Sequence, residues 1–292
     1  MVELFVQSAS HRDFDETLAF AKAHKYNLEL HSFCYSDTLD GNWKELVSEY
    51  KKKLRDFEGS LAFHGVFIGM EMSSLDKKIV AVCKERVLQT LDIIRELGGS
   101  TVVFHSDYNP LIENANYPEW WISHQTEFWK EIVPIAQRDN ILITFENVND
   151  TSPKTLNEVI NRVSSPFFKS VLVTGHANHY SGSKPEQWVD VLGDNLAYIH
   201  LNDSDGVTDR NLVPGKGNIS WTQFFNRLSN LAKYPPICIG VGGDGDRLDN
   251  IKESIRYLID NGFLNGRPHL EIAQWLEQLR SPWMFAGPWA PV

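Results

Sequence analysis

Histidine and glutamate residues recur at the ends of short apolar runs in this sequence. His64 ends Leu-Ala-Phe-His, His105 ends Val-Val-Phe-His, Glu146 ends Ile-Thr-Phe-Glu and His200 ends Ala-Tyr-Ile-His. Imidazole and carboxylate groups together suit Zn²⁺, Mn²⁺ or Fe²⁺. One such histidine alone is usually structural, and Glu146 alone would pair with a Lys or Arg, so the recurrence is what favours a metal. We therefore predict a divalent metal, zinc or manganese, bound by these four residues.

A polar, glycine-containing loop follows His200 and includes acidic residues and one lysine between two glycines. It begins Leu-Asn-Asp-Ser-Asp-Gly and continues through Asp209 to Pro-Gly-Lys216-Gly. Such loops often cover a substrate. Lys216 would reach an anionic or polyhydroxylated ligand, although a plain turn is an equally good interpretation of this segment.

The elements that must position these residues alternate along the chain. Short runs rich in β-branched and aromatic residues predict eight strands, at 4–8, 28–33, 61–67, 101–105, 141–146, 170–174, 197–201 and 237–241. Apolar residues spaced three or four apart predict helices between them, at 13–25, 43–57, 78–97, 120–138, 153–163, 185–192, 221–232 and 250–260.

Eight strands, each followed by a helix, predict an α/β fold of the (β/α)₈ TIM-barrel type. The carboxyl ends of the strands then meet at one mouth, where the histidines and Glu146 would converge. A doubly wound open sheet is the alternative, but no GxGxxG follows the first strand and no GxxxxGK[ST] occurs in the sequence.

One domain is predicted over residues 1–266, followed by a Trp-rich C-terminal extension over 267–292. The extension contains Trp275, Trp283, Phe285 and Trp289. We expect it to pack on the outside of the barrel or to close one end. The alternative is a subunit interface, and hence a homo-oligomer, because aromatic residues are enriched at interfaces.

Composition excludes several classes of protein. The 38 acidic residues outnumber the 28 Lys and Arg, giving a net charge of −10, so a nucleic-acid partner is not expected. No apolar stretch is long enough to span a bilayer, and the N-terminus lacks a secretory signal pattern. Three cysteines without CxxC spacing form no disulfide framework. A cytoplasmic protein with no membrane partner is the expectation.

Motifs at the predicted strand ends resemble the xylose isomerase-like TIM-barrel superfamily, which contains sugar isomerases and epimerases, inosose dehydratase-like enzymes and an apurinic-site endonuclease branch. The resemblance covers roughly residues 60–245. The motifs are Phe63-His64-Gly65, Phe104-His105-Ser106, Phe145-Glu146-Asn147, Thr174-Gly175-His176-Ala177-Asn178, His200-Leu201-Asn202-Asp203 and Gly215-Lys216-Gly217-Asn218-Ile219-Ser220-Trp221.

The resemblance implies a sugar isomerase or epimerase acting on a small polyhydroxylated carbohydrate by proton transfer next to a carbonyl. The implied catalytic residues are Glu146, His176, His200 and Asp209. Residues expected to contact the substrate are His31, Trp121, Lys216 and Asn178, although Trp121 would serve equally well as a core aromatic.

The chain departs from the family pattern at two ligand positions. Family isomerases bind one metal through a Glu, an Asp, a His and a second Glu, and the chain matches the first and third with Glu146 and His200. Val173 stands at the Asp position and Gly240 at the second Glu. In the endonuclease branch, His64, His105 and Glu146 match one zinc sub-site.

These departures leave two alternatives to an isomerase. A degenerate barrel would bind a ligand or partner without catalysis, which the losses at 173 and 240 favour. An apurinic-site endonuclease-like phosphodiesterase is the second alternative, and the acidic net charge opposes it.

Overall fold

Eight parallel strands pair in chain order, and β1 pairs with β8 to close a barrel in the computed structural model of this chain. The structure describes residues 2–242 and 246–264. The strands are β1 (Leu4–Ser8), β2 (Asn27–Leu30), β3 (Leu61–His64), β4 (Thr101–His105), β5 (Leu142–Glu146), β6 (Phe168–Val173), β7 (Leu196–Leu201) and β8 (Ile237–Ile239). The predicted (β/α)₈ TIM barrel is confirmed.

Helices surround the barrel. Within the described residues they are α1 (Phe14–His24), α2 (Ser36–Asp40), α3 (Trp43–Lys53), α4 (Lys77–Leu97), α5 (Tyr117–Arg138), α6 (Pro153–Val163), α7 (Thr174–His179), α8 (Pro185–Leu192), α9 (Trp221–Leu228) and α10 (Arg247–Asp260). None of these described helices is both long enough and apolar enough to cross a bilayer.

The strands are nearly continuous apolar runs because helices cover their outer faces while side chains fill the barrel interior. Trp129 of α5 illustrates the outer layer. Its ring is fully buried and packs against Phe145 of β5 and Phe168 of β6, with ring centroids 5.7 and 5.2 Å away. Such contacts hold the strand ends rigidly, which fixes the side chains at the mouth.

Three of the predicted strands continue past the observed ones. The chain leaves the sheet after Leu30, His64 and Ile239, two or three residues before the predicted strands end. Apolar residues after these points are buried under the loops, so the pattern reports burial rather than strand pairing. After β6 the chain turns directly into α7, and this short helix carries His176.

The predicted boundary between a domain at 1–266 and an extension at 267–292 stays a prediction, since residues 265–292 lie outside the described residues. Its four aromatic residues, Trp275, Trp283, Phe285 and Trp289, lie there too.

Candidate metal centre

Glu146 lies at the centre of a group of imidazoles at the carboxyl ends of the strands. It ends β5 and is 2% exposed. His64 Nε2 lies 3.7 Å from Glu146 Oε2, and His105 Nε2 lies 3.5 Å from Oε1. His200 Nδ1 approaches Oε2 at 3.5 Å, and His176 Nδ1 approaches Oε1 at 3.7 Å. The structure therefore brings together all four residues predicted to bind a metal, and His176 joins them.

The spacing of three of these groups fits a metal ion. The Nε2 atoms of His64 and His105 are 3.1 Å apart, and each is 3.5–3.7 Å from a carboxylate oxygen of Glu146. Ligand atoms around a tetrahedral zinc ion with bonds of about 2.1 Å lie roughly 3.4 Å from one another. Glu146 Oε2 is buried without a hydrogen-bond partner. Because an unpartnered buried carboxylate oxygen is costly, a cation is the natural complement to this group.

Backbone carbonyls fix which nitrogen of two imidazoles carries the proton. His64 Nδ1 lies 2.9 Å from the carbonyl oxygen of Gly65, and His176 Nδ1 lies 2.9 Å from that of Asn147. A carbonyl only accepts hydrogen bonds, so Nδ1 of each ring carries the proton. In the neutral rings Nε2 then carries the free electron pair, which is available to a metal or a proton.

A second carboxylate, Glu29 of β2, lies inside the barrel on the other side of His200. Its Oε2 is 2.9 Å from His200 Nε2, and its Oε1 is 2.8 Å from His31 Nε2. Gln7 of β1 donates its amide to the same Oε1 at 3.1 Å. The site thus contains two buried glutamates separated by one imidazole.

The two glutamates stay ionised despite their burial. Burial by itself raises the pKa of Glu146, but His105, His200 and His64 outweigh it, so the pKa lies well below its ordinary value. Burial likewise raises the pKa of Glu29, and His200 and His31 more than offset it.

The imidazoles respond in opposite directions. Burial lowers the pKa of His105 to about 3, with a smaller opposing effect from Glu146, and lowers that of His31 to about 3. Burial also lowers the pKa of His200, but Glu29 and Glu146 together raise it to about 10. In the metal-free protein at neutral pH, His105 and His31 are therefore neutral and His200 is an imidazolium.

Two other groups of potential ligands each include a buried cysteine. They are His31 with Cys34 and His64, and Glu29 with His200 and Cys238. Burial raises the pKa of the Cys34 thiol to about 12 and that of Cys238 well above its ordinary value. Because the thiolate is the metal ligand, protonated thiols make these groups poorer sites than His64, His105 and Glu146.

A second pair of polar groups lies toward the entrance. His176 Nε2 is 3.7 Å from Asp209 Oδ1, and the Tyr180 hydroxyl donates to Asp209 Oδ2 at 3.0 Å. Asp209 is exposed and His176 is partly buried, so this pair connects the buried glutamate with solvent.

Three of the four residues expected to contact substrate have other partners in this structure; contact of Lys216 and Asn178 with substrate stays a prediction. Trp121 is fully buried, and its Nε1 donates to Asp107 Oδ1 at 2.6 Å, so it offers no face to a sugar. Lys216 lies at the surface, paired with Glu253 of α10 at 2.7 Å. Asn178 donates its amide to the carbonyl of Ser204 at 3.1 Å and to Asn218 Oδ1 at 2.7 Å.

His31 is the one of the four that lies at the site. Its ring centroid is 4.4 Å from that of His64. It stays a predicted substrate contact, although its Nε2 is already within hydrogen-bond distance of Glu29 and Gln7.

The structure supplies no acidic side chain at the two departures from the family pattern. Val173 is buried and apolar. A Cβ added at Gly240 would lie 3.7 Å from Gln7 Nε2 and 3.8 Å from His200 Cβ, so this position just after β8 faces the same interior as His200. Asp203, a conceivable substitute, accepts hydrogen bonds from the backbone N–H of Gly215 at 2.7 Å and from Trp221 Nε1 at 3.0 Å.

Sequence reasoning did not identify Glu29 and Gln7 as a unit. They are neighbours in the sheet, since Gln7 of β1 is the register partner of Glu29 of β2. A polar residue inside each of two adjacent apolar strands is the signal that would have found them, because such residues point into the barrel and must pair.

Comparison with known proteins agrees with this geometry. Residues 15–261 match the xylose isomerase-like TIM barrel family, so the chain belongs to that family and the predicted resemblance is confirmed. Among curated proteins, the uncharacterized protein MJ1311 of Methanocaldococcus jannaschii is 25% identical over 193 residues, covering 63% of this chain. The match spans 65% of the length of that relative.

Solved structures with the same fold include a D-tagatose 3-epimerase-like protein, with a TM-score of 0.73 and 21% identity, covering 89% of this chain and 99% of that one. The IOLI protein with a bound zinc atom has a TM-score of 0.71 and 17% identity, covering 90% of this chain and 100% of that one. At these identities the likeness shows a shared barrel.

Proposed function

We propose that this chain is a divalent-metal-dependent isomerase or epimerase that moves a proton next to the carbonyl of a small polyhydroxylated molecule. The observation that carries the proposal is the buried Glu146 oxygen without a hydrogen-bond partner, facing the nitrogen atoms of His64, His105 and His200. The epimerase-like and zinc-bound structures that share the fold support the same class of chemistry and the same kind of ion.

His64, His105 and Glu146 would hold the ion, and His200 is the next group within reach. A bound divalent ion would polarise a carbonyl and its neighbouring hydroxyl, which stabilises the negative charge that develops on proton removal. Zinc is the preferred occupant, because imidazole and carboxylate are its usual ligands and its coordination expands from four to five, so a position stays open to substrate when His200 also binds.

His176 is the best-placed group for the proton itself. Asn147 holds the proton on Nδ1, so Nε2 is free to accept one from the carbon next to the carbonyl. Asp209, 3.7 Å from Nε2, would stabilise the resulting imidazolium. Return of the proton by His176 to the neighbouring carbon gives an isomer, whereas an epimer requires a second group that protonates the same carbon from the opposite face.

Metal analysis tests the centre. Purified protein is expected to hold one zinc or manganese ion per chain, and His105→Ala is expected to lose most of it. His24→Ala is the matched control, because His24 lies exposed on α1 and should leave metal content unchanged. Unchanged metal content in His105→Ala would contradict the proposed centre.

Hydrogen exchange tests the chemistry. Metal-loaded protein is incubated with a panel of ketoses in D₂O, and proton NMR follows loss of the signal next to the carbonyl. Removing a general base costs roughly 100-fold or more, so His176→Ala should slow exchange by at least that factor. A full metal complement with sugar binding but no exchange would overturn the enzyme and select a barrel that binds without catalysis.

A further inference from the structure

His200 is held from both sides by carboxylates. Its Nε2 is 2.9 Å from Glu29 Oε2 and its Nδ1 is 3.5 Å from Glu146 Oε2. Glu29 is fully buried, and His200 and Glu146 are 4% and 2% exposed, so no solvent competes for these positions. The orientation of this ring is therefore set by its two neighbours.

Glu29 is itself fixed in place. Its Oε1 accepts the amide of Gln7 at 3.1 Å and lies 2.8 Å from His31 Nε2, which leaves Oε2 for His200. Gln7 also contacts the guanidinium of Arg247 at the start of α10. The carboxylate thus has a partner on each oxygen.

Gly240 and Glu29 both lie beside His200. Gly240 follows β8, and a side chain there would point beside His200, where the family pattern has a glutamate. Besides Glu146, one carboxylate still lies next to His200, that of Glu29. It comes from β2, which is separated from β8 by β1.

Histidines that bind metals usually donate their other N–H to a carboxylate or a carbonyl, which fixes the ring and raises its basicity. His64 uses the carbonyl of Gly65 in this way. His200 has a charged partner instead, and that partner occupies Nε2, so that only Nδ1 remains free to face Glu146.

We infer that Glu29 is a positioning residue for His200: it holds Nε2, directs Nδ1 at the ion beside Glu146, and supplies from β2 the acidic charge that Gly240 does not supply from β8. The inference rests on the proposed metal centre. It assigns His200 and Glu29 together, as a carboxylate–histidine pair, to the binding of zinc.

Zinc affinity measured by competition with a chelator tests this role. Loss of such an outer partner costs roughly 10- to 100-fold in metal affinity, so Glu29→Gln should bind one zinc that much more weakly. Glu3→Gln is the matched control, because Glu3 is a buried glutamate before the amino end of β1 and should keep wild-type affinity. Equal affinities in Glu29→Gln and the wild type would overturn the role of Glu29. Zinc that fails to bind the wild type would overturn the metal centre itself.

A second measurement needs no variant and so does not depend on how Glu29→Gln folds. In ¹⁵N NMR spectra of the zinc-loaded wild-type protein, His200 should show a protonated Nε2 and a zinc-bound Nδ1. Zinc bound at Nε2, or no zinc shift on either nitrogen of this ring, would contradict the inference while leaving the site of His64, His105 and Glu146 intact.

Discussion

At the scale of single residues, charge in the barrel interior depends on His200. Two buried carboxylates raise its pKa to about 10, against the effect of burial, while burial lowers that of His105 to about 3. At neutral pH the His105 imidazole is therefore uncharged, whereas the His200 imidazole carries a positive charge. A metal bound at Nδ1 would displace the proton from His200 and take over its role as counter-ion to Glu146.

This difference predicts how the stability of the metal-free protein depends on pH. Because the folded pKa of His200 lies above its ordinary value of 6.5, the folded protein keeps a proton that the unfolded chain releases. The stabilisation is complete below about pH 6.5 and is lost as the pH rises toward 10. Between about pH 7 and pH 9, the free energy of unfolding should fall by at most about 1.4 kcal/mol per pH unit.

Urea unfolding in the presence of a chelator measures this slope. His200→Gln should flatten it, whereas His24→Ala on the exposed side of α1 should keep it. A wild-type slope that persists in His200→Gln would assign the pH dependence to another group.

At the scale of elements, the motif Gly215-Lys216-Gly217 organises the loop between β7 and α9. Asp203, just after β7, accepts from the backbone N–H of Gly215, and a Cβ added at Gly217 would lie 2.3 Å from the carbonyl oxygen of Ser204 and 2.3 Å from Asp203 Oδ1. Gly217 of this family motif is therefore required by close backbone packing and Gly215 by its φ of +88°, while Lys216 between them lies at the surface.

We expect Gly217→Ala to destabilise the protein and Lys216→Ala to leave it nearly unchanged. Gly217→Ala pushes the Ser204 carbonyl and the Asp203 side chain away from the new methyl group. It should lower the free energy of unfolding by about 1–3 kcal/mol, as other overpacking substitutions do. Lys216→Ala removes an exposed ion pair with Glu253, which is worth about 0–1 kcal/mol. Thermal or urea unfolding of both variants is the measurement, and equal stabilities would contradict this account of the loop.

Helix α5 carries two adjacent tryptophans that differ in burial. Trp121 lies on its buried side, hydrogen-bonded to Asp107, and Trp120 beside it is only partly buried. Trp121→Phe leaves the partly buried Asp107 carboxylate without one donor, so the free energy of unfolding should fall by about 1–3 kcal/mol.

Zinc affinity and the KM for any sugar substrate should be unchanged in Trp121→Phe. Trp120→Phe is the neighbouring control and should cost less stability. A raised KM at wild-type stability would restore the sugar-stacking role that the sequence suggested for Trp121.

At the scale of the whole molecule, the barrel was predictable because it is specified by repetition. Eight apolar runs alternate with helical patterns, and barrel geometry alone brings residues as distant as His64 and His200 to one mouth. The gathering of His64, His105, Glu146 and His200 follows from that topology. It needs no knowledge of any single contact.

Contacts between elements far apart in the sequence were not predictable in this way. The pairing of Lys216 with Glu253 depends on where α10 lies, and the burial of Trp121 depends on which side of α5 meets the barrel. The partnership of Glu29 with His200 spans 171 positions and appears only when the barrel closes. Sequence periodicity predicts where helices and strands lie along the chain. Predicting these pairings also requires knowing how each element is rotated relative to its neighbours.

The central claim is that one metal ion lies between the strand ends of β3, β4 and β5. Anomalous scattering at the zinc edge from crystals of the zinc-loaded protein tests it most directly. We predict one strong peak at about 2.0–2.2 Å from His64 Nε2, His105 Nε2 and a Glu146 oxygen, with His200 Nδ1 as the fourth protein atom bound to it. Full zinc loading with no peak among these atoms, or with the peak elsewhere in the molecule, would contradict it.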